Sequence, residues 1–257
     1  MRTLTSGFLW FLLSLSISAQ TPTEQPPHPA AQDGGVREVL ESIVIPPIPN
    51  QPFSATLETE WIRYTGEGGT ITLVNERPIV RDSKGRIYQE RWALVPKYGK
   101  VKSQKMLFQI ADPKQHTLYS CATFRHMCEL ETFDPTDALA AAEPRKPIPN
   151  GTLVQDHLTV EDLGTKRIAG VDTIGRRETN TIDVGVMGND QPLTATNETW
   201  HSQELAINLL SIRTGPMIGK QNFTITDLSA TEPDPELFKV PAGYEIRDLR
   251  KNPPIFW

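Results

Sequence analysis

The sequence predicts a mainly β fold, a curved antiparallel sheet or open half-barrel of about 9–10 strands with one short covering helix. The first observation is a period-two alternation of apolar and polar residues in many short segments, which is typical of half-buried strands. The second is the regular occurrence of Gly, Pro and Asp turn residues between those segments. The third is the content of 22 prolines in 257 residues, which leaves little room for long helices.

The amino terminus predicts export. Residues 1–19 combine one positive charge, an apolar run at 8–17 and small polar residues before Gln20, as in a secretory signal peptide. The alternative is an uncleaved anchor, but the apolar run is shorter than the about 20 residues that span a bilayer. We therefore expect a soluble mature protein that is periplasmic or secreted.

The rest of the chain divides by composition. Residues 20–52 hold eight prolines and predict an extended linker. Within it only 36–45 has the spacing of a short helix, which would either dock on the domain or stay loose. Residues 53–246 are expected to form the β half-barrel domain, and 247–257 a tail that packs on it or binds a partner.

The first strand is predicted at 53–61, where apolar and polar residues alternate. A helix is predicted at 136–143, with Asp134 as N-cap and Pro135 in the first position, crossing the sheet to cover one opening. After the last strand a short turn at 235–238 should plug the core with Leu237 and Phe238. The further strands are predicted at 70–80, 86–95, 106–110, 116–124, 128–133, 157–163, 173–184, 193–200, 205–212 and 222–228.

Cys121 and Cys128 are the only cysteines, with six residues between them on a predicted hairpin. In an exported chain such a pair predicts a disulfide, and the alternative is two reduced, buried thiols. A metal site would need more ligands than His126 supplies. The spacing is also not the C-x-x-C of oxidoreductases.

Five stretches carry a resemblance to a known family: RDSKGRIYQE (81–90), IADPKQHTLY (110–119), EDLGTKRIAGVDTIGRRET (161–179), MGNDQPLTATNETWHSQEL (187–205) and TEPDPELFKVPAGYEI (231–246). They resemble a family of exported bacterial proteins of the Acidobacteria type. More distantly, the chain is similar to the LolA/LolB-type half-barrels that carry lipids or lipoproteins through the periplasm. The resemblance implies a carrier fold and assigns no catalytic residue.

The chain departs from that family's pattern at one place. A basic turn containing Asp-Pro is expected after the late strand, and this chain has Arg213-Thr214-Gly215-Pro216. Any role of the family's turn is therefore not carried over.

Charge and motifs exclude several functions. The net charge of −5 comes without a basic stripe, so nucleic acid is not expected as a partner. Nucleophile-elbow, P-loop, dinucleotide and zinc-protease patterns are absent from the sequence, so we expect no enzyme and no cofactor. Glu198, His201 and Glu204 are spaced like helical metal ligands, but the alternation around them predicts strand and turn, which separates them.

The apolar strand residues have two interpretations. They either pack as a solid core or line a cavity that accepts an acyl chain or apolar peptide. Our first hypothesis is a non-enzymatic binding protein for a lipid or lipoprotein acyl chain. The alternative is an interaction module of the cell envelope with a solid core, which binds a protein partner through linker and tail. The core or cavity candidates are Trp61, Tyr88, Trp92, Phe108, Leu209 and Phe223.

Overall fold

The structure is a computed structural model that describes residues 42–142 and 156–251. These residues form thirteen strands, one α-helix and one 3₁₀ helix. The helices are α1 (Pro135–Ala142) and the 3₁₀ helix (Pro235–Phe238). The strands are β1 (Phe53–Tyr64), β2 (Thr70–Arg81), β3 (Ile87–Trp92), β4 (Val95–Pro96), β5 (Lys105–Asp112), β6 (Thr117–Ala122), β7 (Met127–Thr132), β8 (Asp156–Ile168), β9 (Val171–Ile182), β10 (Leu193–Ser202), β11 (Ile207–Gly215), β12 (Gly219–Ser229) and β13 (Glu245–Asp248).

All thirteen strands belong to one open sheet. Their order is β13-β7-β6-β5-β3-β2-β1-β12-β11-β10-β9-β8, with β4 attached to β2. Every pairing is antiparallel except that of β13 with β7, which is parallel. The predicted fold class is confirmed. Of the thirteen strands, eleven correspond to the predicted segments, and the two others are β4 with two residues and β13 with four, too few to show an alternation.

The sheet curves towards the face that carries Arg81. Arg81 lies at the end of β2, and its Nη2 donates to the backbone oxygen of Leu205 at 2.6 Å. Leu205 precedes β11, which is three strand positions from β2. In a flat sheet three spacings of about 4.8 Å would separate these strands, beyond the reach of an arginine side chain. We call the concave face with Arg81 the inner face and the opposite one the outer face.

The inner face carries an apolar cluster at the end of the sheet where β1 begins. It contains Phe53, Leu57, Leu209 and Phe223, which are completely buried, together with residues of β2, β3, β5 and β12. Ile43 and Ile45, which precede β1, pack into the same cluster. Burial of apolar area is the main force that holds this half of the sheet in its curved form.

The segment before β1 therefore docks on the domain. Residues 42–48 have no regular secondary structure, so the helix predicted at 36–45 does not extend through Ile45, and 36–41 lie outside the described residues. Arg81 holds the segment in place by donating to the backbone oxygens of Pro46 (2.9 Å) and Gln51 (3.0 Å). Of the two alternatives for this segment, docking is what its described part does.

We call the part of the sheet with β3, β5, β6 and β7 one wing, and the part with β8, β9 and β10 the other wing. The chain after β12 covers the outer face of the first wing. Phe238 of the 3₁₀ helix packs into a second cluster with Val80, Tyr88, Phe108 and Ile110. Leu237 contacts the same cluster, so this turn contributes apolar residues to the core as the sequence predicts. The chain then continues into β13, which runs past residue 246, the predicted end of the domain.

The same wing contains the disulfide. Cys121 on β6 and Cys128 on β7 are directly opposite in the strand pairing, and both are fully buried within the outer cluster. The structure joins them by a disulfide bond. The alternative of two reduced thiols is therefore not the arrangement found.

Helix α1 forms almost where it is predicted. Asp134 Oδ1 accepts from the backbone N–H of Thr136 at 2.8 Å, as an N-cap residue does. None of the helix residues is buried, and Leu139 is exposed. The helix therefore does not cover the sheet, because a covering helix would bury one face against it.

One predicted turn is shorter than expected. The predicted strands 157–163 and 173–184 leave a longer connection between them, but β8 continues to Ile168 and only Ala169 and Gly170 form the turn. Gly164 has a φ of 75° at a shift in the strand register and marks a β-bulge. A glycine inside a strand often has this role.

Candidate ligand-binding face

The structure places the six core or cavity candidates on both faces of the sheet. Leu209 and Phe223 belong to the inner cluster. Tyr88 and Phe108 belong to the outer cluster, with ring centroids 6.0 Å apart. Paired residues of neighbouring strands share a face, so the pairing of Ile79 with Gln89 puts Tyr88 opposite to the inner face. The six residues therefore do not line one common cavity.

The two tryptophans of this set are held by their indole N–H groups. Trp61 Nε1 donates to the backbone oxygen of Ile218 at 2.7 Å, and Trp61 shares the inner face with Gln221, its partner on β12. Trp92 Nε1 donates to Glu90 Oε2 at 2.6 Å. Buried tryptophans usually find such a partner. Trp61 is thus placed where an inner-face ligand could contact it.

Glu90 organises a polar group on the outer face. Its carboxylate accepts from Tyr88 Oη, from Trp92 Nε1 and from Lys105 Nζ at 2.9 Å. Burial opposes ionisation of Glu90, but these three donors outweigh it and lower the pKa of the carboxyl group. Burial also raises the pKa of Tyr88, so its phenol keeps its proton. Every member of the group has a partner, which is typical of a structural role.

The inner face changes character beyond the apolar cluster. Towards the end of β1 the buried residues become polar, beginning with Thr59, its partner Asn75 on β2, and Ser211 on β11, which pairs with Phe223 of β12. Gln221 on β12 is only 1% exposed. Neither amide atom of Gln221, nor Asn75 Oδ1, has a hydrogen-bond partner among the described residues. We call Thr59, Asn75, Ser211 and Gln221 the polar belt.

Unpartnered buried amide groups are costly. Leaving a buried donor or acceptor unsatisfied costs about 1–3 kcal/mol. Each such group in a native structure has an explanation, such as strain, a bound water or ion, or a function. Gln221 and Asn75 thus make the polar belt the candidate ligand-contacting part of the inner face.

Two arginines lie beside the belt. Arg77 is buried and donates to the backbone oxygen of Glu90 at 3.0 Å and to Ser42 Oγ at 2.6 Å. Burial lowers the pKa of Arg77 to about 9, and the neighbouring charge of Arg91 adds to this effect. Burial also lowers the pKa of Arg91. Among the described residues no carboxylate is within ion-pair distance of either guanidinium, so both would favour an anionic group.

The residues with metal-ligand spacing do not come together. Glu198 Oε2 accepts from Arg177 at 2.8 Å and its Oε1 accepts from Trp200, while His201 lies 3.0 Å from Asn208 Oδ1. Glu204 lies in the turn after β10. In 42–142 and 156–251 no group of three His, Cys, Asp or Glu side chains is arranged to hold a metal ion.

A small cavity lies at the other end of the inner face. It has a volume of about 240 Å³ and contains none of the six candidates. Its lining residues are Thr165, Asp172, Thr173, Ile174, Gln203 and Glu204. Its volume is below the about 300 Å³ at which small-molecule sites usually begin, so this cavity is a weaker candidate than the polar belt.

Comparisons with known proteins give fold-level likeness only. No protein-family model and no curated protein matches the chain. Among solved structures, an uncharacterized conserved protein from Thermus thermophilus aligns at 8% identity over 77% of this chain and 91% of that chain, with a TM-score of 0.36. The Pseudomonas aeruginosa MucA/MucB complex aligns at 14% identity over 75% and 56%, with a TM-score of 0.36. The Mycobacterium tuberculosis lipoprotein LppX aligns at 12% identity over 72% and 88%, with a TM-score of 0.29. Likenesses of this size carry no inference about function.

The sequence could not identify the polar belt. Thr59, Asn75 and Gln221 are ordinary polar residues in alternating strands, and only the pairing of β1 with β2 and β12 brings them to one buried face. Arg77 gives a weak signal of burial in the sequence. It lies two residues before Ile79 on β2, so the two side chains are on the same side of the strand. Within the described ranges, no helix is long and apolar enough to cross a membrane.

Proposed function

We propose that the protein is an exported, non-enzymatic binding protein that holds an amphipathic ligand, a lipid or other acyl chain, on its inner face. The observation that carries the proposal is Gln221, almost completely buried on that face with no partner for its amide among the described residues. Two independent features support export: the signal-like residues 1–19 and the disulfide, which persists in oxidising compartments.

The ligand's polar head would contact the belt. Gln221 Nε2 offers an unpartnered hydrogen-bond donor, and Arg77 and Arg91 offer positive charge without a described carboxylate. A fatty-acid carboxylate or a lipid phosphate fits these groups, since anionic oxygens accept from amide N–H and guanidinium groups, while Asn75 Oδ1 and Gln221 Oε1 would accept from a hydroxyl group of the ligand head or a bound water. The apolar part would pack on Trp61 and Leu73, which are partners on the same face. Each enclosed CH₂ group would contribute about 0.8 kcal/mol.

The test uses protein purified from the periplasm of an expressing cell. Native mass spectrometry, followed by denaturing extraction, is expected to reveal a bound acyl lipid. The protein is then titrated with a fatty acid and with the alcohol of the same chain length. We expect the Kd of the acid to be about tenfold lower than that of the alcohol, which is the effect of one charged hydrogen-bonded contact. A clean apo mass together with no uptake of either ligand would overturn the proposal.

A matched pair of variants locates the binding. Arg77→Met removes the buried guanidinium and should weaken fatty-acid binding more than alcohol binding. Arg250→Met removes an exposed guanidinium that pairs with Asp248 at 2.8 Å, and should change neither. If both variants bind like the original protein, the inner face is not the site.

The second candidate is the envelope interaction module with a solid core. It is favoured by the close packing of the inner cluster, in which Phe53, Leu57, Leu209 and Phe223 are completely buried. In that case the belt would take up no acyl ligand, and a protein partner would copurify. The mass measurement on the purified protein separates the two candidates.

A further inference from the structure

The exposed apolar side chains are concentrated at one end of the sheet. Five of them lie on or beside the connections between strands: Tyr64 and Met217 (65% and 60% exposed), Tyr98 (91%), Val101 (65%) and Phe124 (68%). The strand pairings put these connections at the same end, since Tyr64 pairs with Thr70, Gly215 with Gly219 and Ala122 with Met127. We call these five residues the apolar rim.

At the opposite end of the sheet, exposed apolar side chains such as Val44 and Leu139 lie outside the turns between strands. The described turns of this end, at 82–86, 113–116, 169–170 and 203–206, contain none of the exposed large hydrophobic residues. Leu205, the one large apolar residue among them, is buried in the inner cluster. Singly exposed apolar residues are normal on any surface, but their concentration in the strand connections of one end indicates a contact surface.

Basic residues accompany part of the rim. The connection 93–104, which carries Tyr98 and Val101, contains three lysines and no acidic residue. The turn 123–126, which carries Phe124, contains Arg125 and no acidic residue. Lys97 Nζ lies 5.9 Å from the Tyr98 ring centroid, and the Arg125 guanidinium lies 5.2 Å from that of Phe124. Because Lys97 is paired with Glu60 at 2.6 Å, the local positive charge rests on Lys100, Lys102 and Arg125, and it contrasts with the net charge of −5.

From this arrangement we propose that the apolar rim docks the protein on the surface of an anionic lipid bilayer. The rim consists of separate apolar tips on neighbouring turns rather than a continuous apolar patch. Aromatic rings with lysine or arginine beside them are suited to the interface, where the rings reach the acyl boundary and the charges stay among the headgroups. Basic residues add attraction to anionic lipids. A protein partner would instead require a continuous complementary surface.

The charge distribution orients the docked protein. Val184 and Met187 lie at the same end of the sheet but in a turn with Asp183 and Asp190. That turn belongs to the other wing, between β9 and β10. The wing with β3, β5, β6 and β7 should therefore lie closest to an anionic surface, and the acidic turn furthest from it. The inference does not depend on the proposed ligand.

The test is vesicle flotation of the full exported protein. Vesicles of phosphatidylcholine with phosphatidylglycerol are compared with vesicles of phosphatidylcholine alone. We expect flotation with the anionic vesicles and a marked loss at high salt, which screens the charges. Tyr98→Ser with Phe124→Ser should weaken binding at least about tenfold. Lys100→Glu with Lys102→Glu should weaken it by at least about fivefold per lysine, and only for anionic vesicles.

Matched controls are available at the opposite end. Leu139→Ser removes an exposed apolar side chain of α1, and Lys84→Glu with Lys114→Glu reverses two exposed charges on the opposite turns. These variants should float like the original protein, and thermal melting verifies that all variants are folded. Absence of flotation, or equal flotation of rim and control variants, would overturn the proposal. Loss of a copurifying protein from the rim variants, without vesicle binding by the original protein, would assign the rim to a protein partner and also overturn it.

Discussion

Arg81 Nη2 donates to the backbone oxygen of Leu205 at 2.6 Å and so joins the end of β2 to the turn before β11. The same guanidinium donates to the backbone oxygens of Pro46 and Gln51. One fully buried side chain thus connects three separate parts of the chain where the sheet curves. Burial lowers the pKa of Arg81 to about 10, so the group stays charged at neutral pH.

Replacing Arg81 should destabilise the protein strongly. Arg81→Met removes hydrogen bonds to the backbone oxygens of Pro46, Gln51 and Leu205, of which, among the described residues, only Pro46 keeps a second donor, the N–H of Ile48. The loss costs about 3 kcal/mol in the free energy of unfolding. Urea denaturation followed by circular dichroism measures the effect. Arg250→Met, an exposed arginine, serves as control and should change the midpoint little. Equal midpoints for the two variants would show that Arg81 does not hold the curved form.

Removing the disulfide should also lower stability. Cys121→Ser with Cys128→Ser removes a cross-link that closes a short loop, which contributes about 2–3 kcal/mol in the chain-entropy model. Reduction of the original protein should lower its melting temperature in the same direction. An unchanged melting temperature on reduction would contradict the presence of the bond in the folded protein.

Glu90 should make stability depend on pH. Its pKa is lowered in the folded state by Tyr88, Lys105 and Trp92, so the unfolded chain binds its proton more readily. The ionised carboxylate of Glu90 therefore adds to the free energy of unfolding at pH values above its unfolded pKa of about 4.5. This stabilisation is lost as the pH falls through the lower pKa of the folded state.

The variant Glu90→Gln isolates that contribution. It should be less stable than the original protein at neutral pH, and the difference should shrink near pH 3, where the carboxyl group of the original protein becomes protonated. Urea denaturation at both pH values measures it. A difference that stays constant between the two pH values would mean that the carboxylate charge contributes nothing.

The sequence predicts the strands well because each one has a local signal. The alternation from Phe53 to Trp61 identifies β1 and its inward side chains. Alternation cannot say which face of one strand continues into the next, because that depends on the pairing register. The sequence therefore does not distinguish the faces of Trp61 and Tyr88, and only the pairing of Ile79 with Gln89 separates them.

The two buried arginines have only a weak signal in the sequence. Arg77 and Arg81 follow an ordinary alternation with Ile79, and a buried arginine is uncommon. Their partners include Ser42 and Pro46, in a segment whose prolines predict an extended linker. An extended segment can still bury Ile43 and Ile45 when a curved sheet offers an apolar face, and that tertiary contact is not encoded in local periodicity.

Gln221→Leu tests the central claim most directly. It replaces an unpartnered buried amide by an apolar side chain of similar size, so the ligand-free variant should be about 1 kcal/mol more stable than the original protein. If the polar belt binds the head of an acyl ligand, the same variant should bind a fatty acid about tenfold more weakly. The measurement is a fluorescent fatty-acid titration of both proteins, with thermal melting in parallel. Higher stability together with weaker binding is the predicted result, whereas unchanged fatty-acid binding by the variant, or no binding by the original protein, would contradict the account.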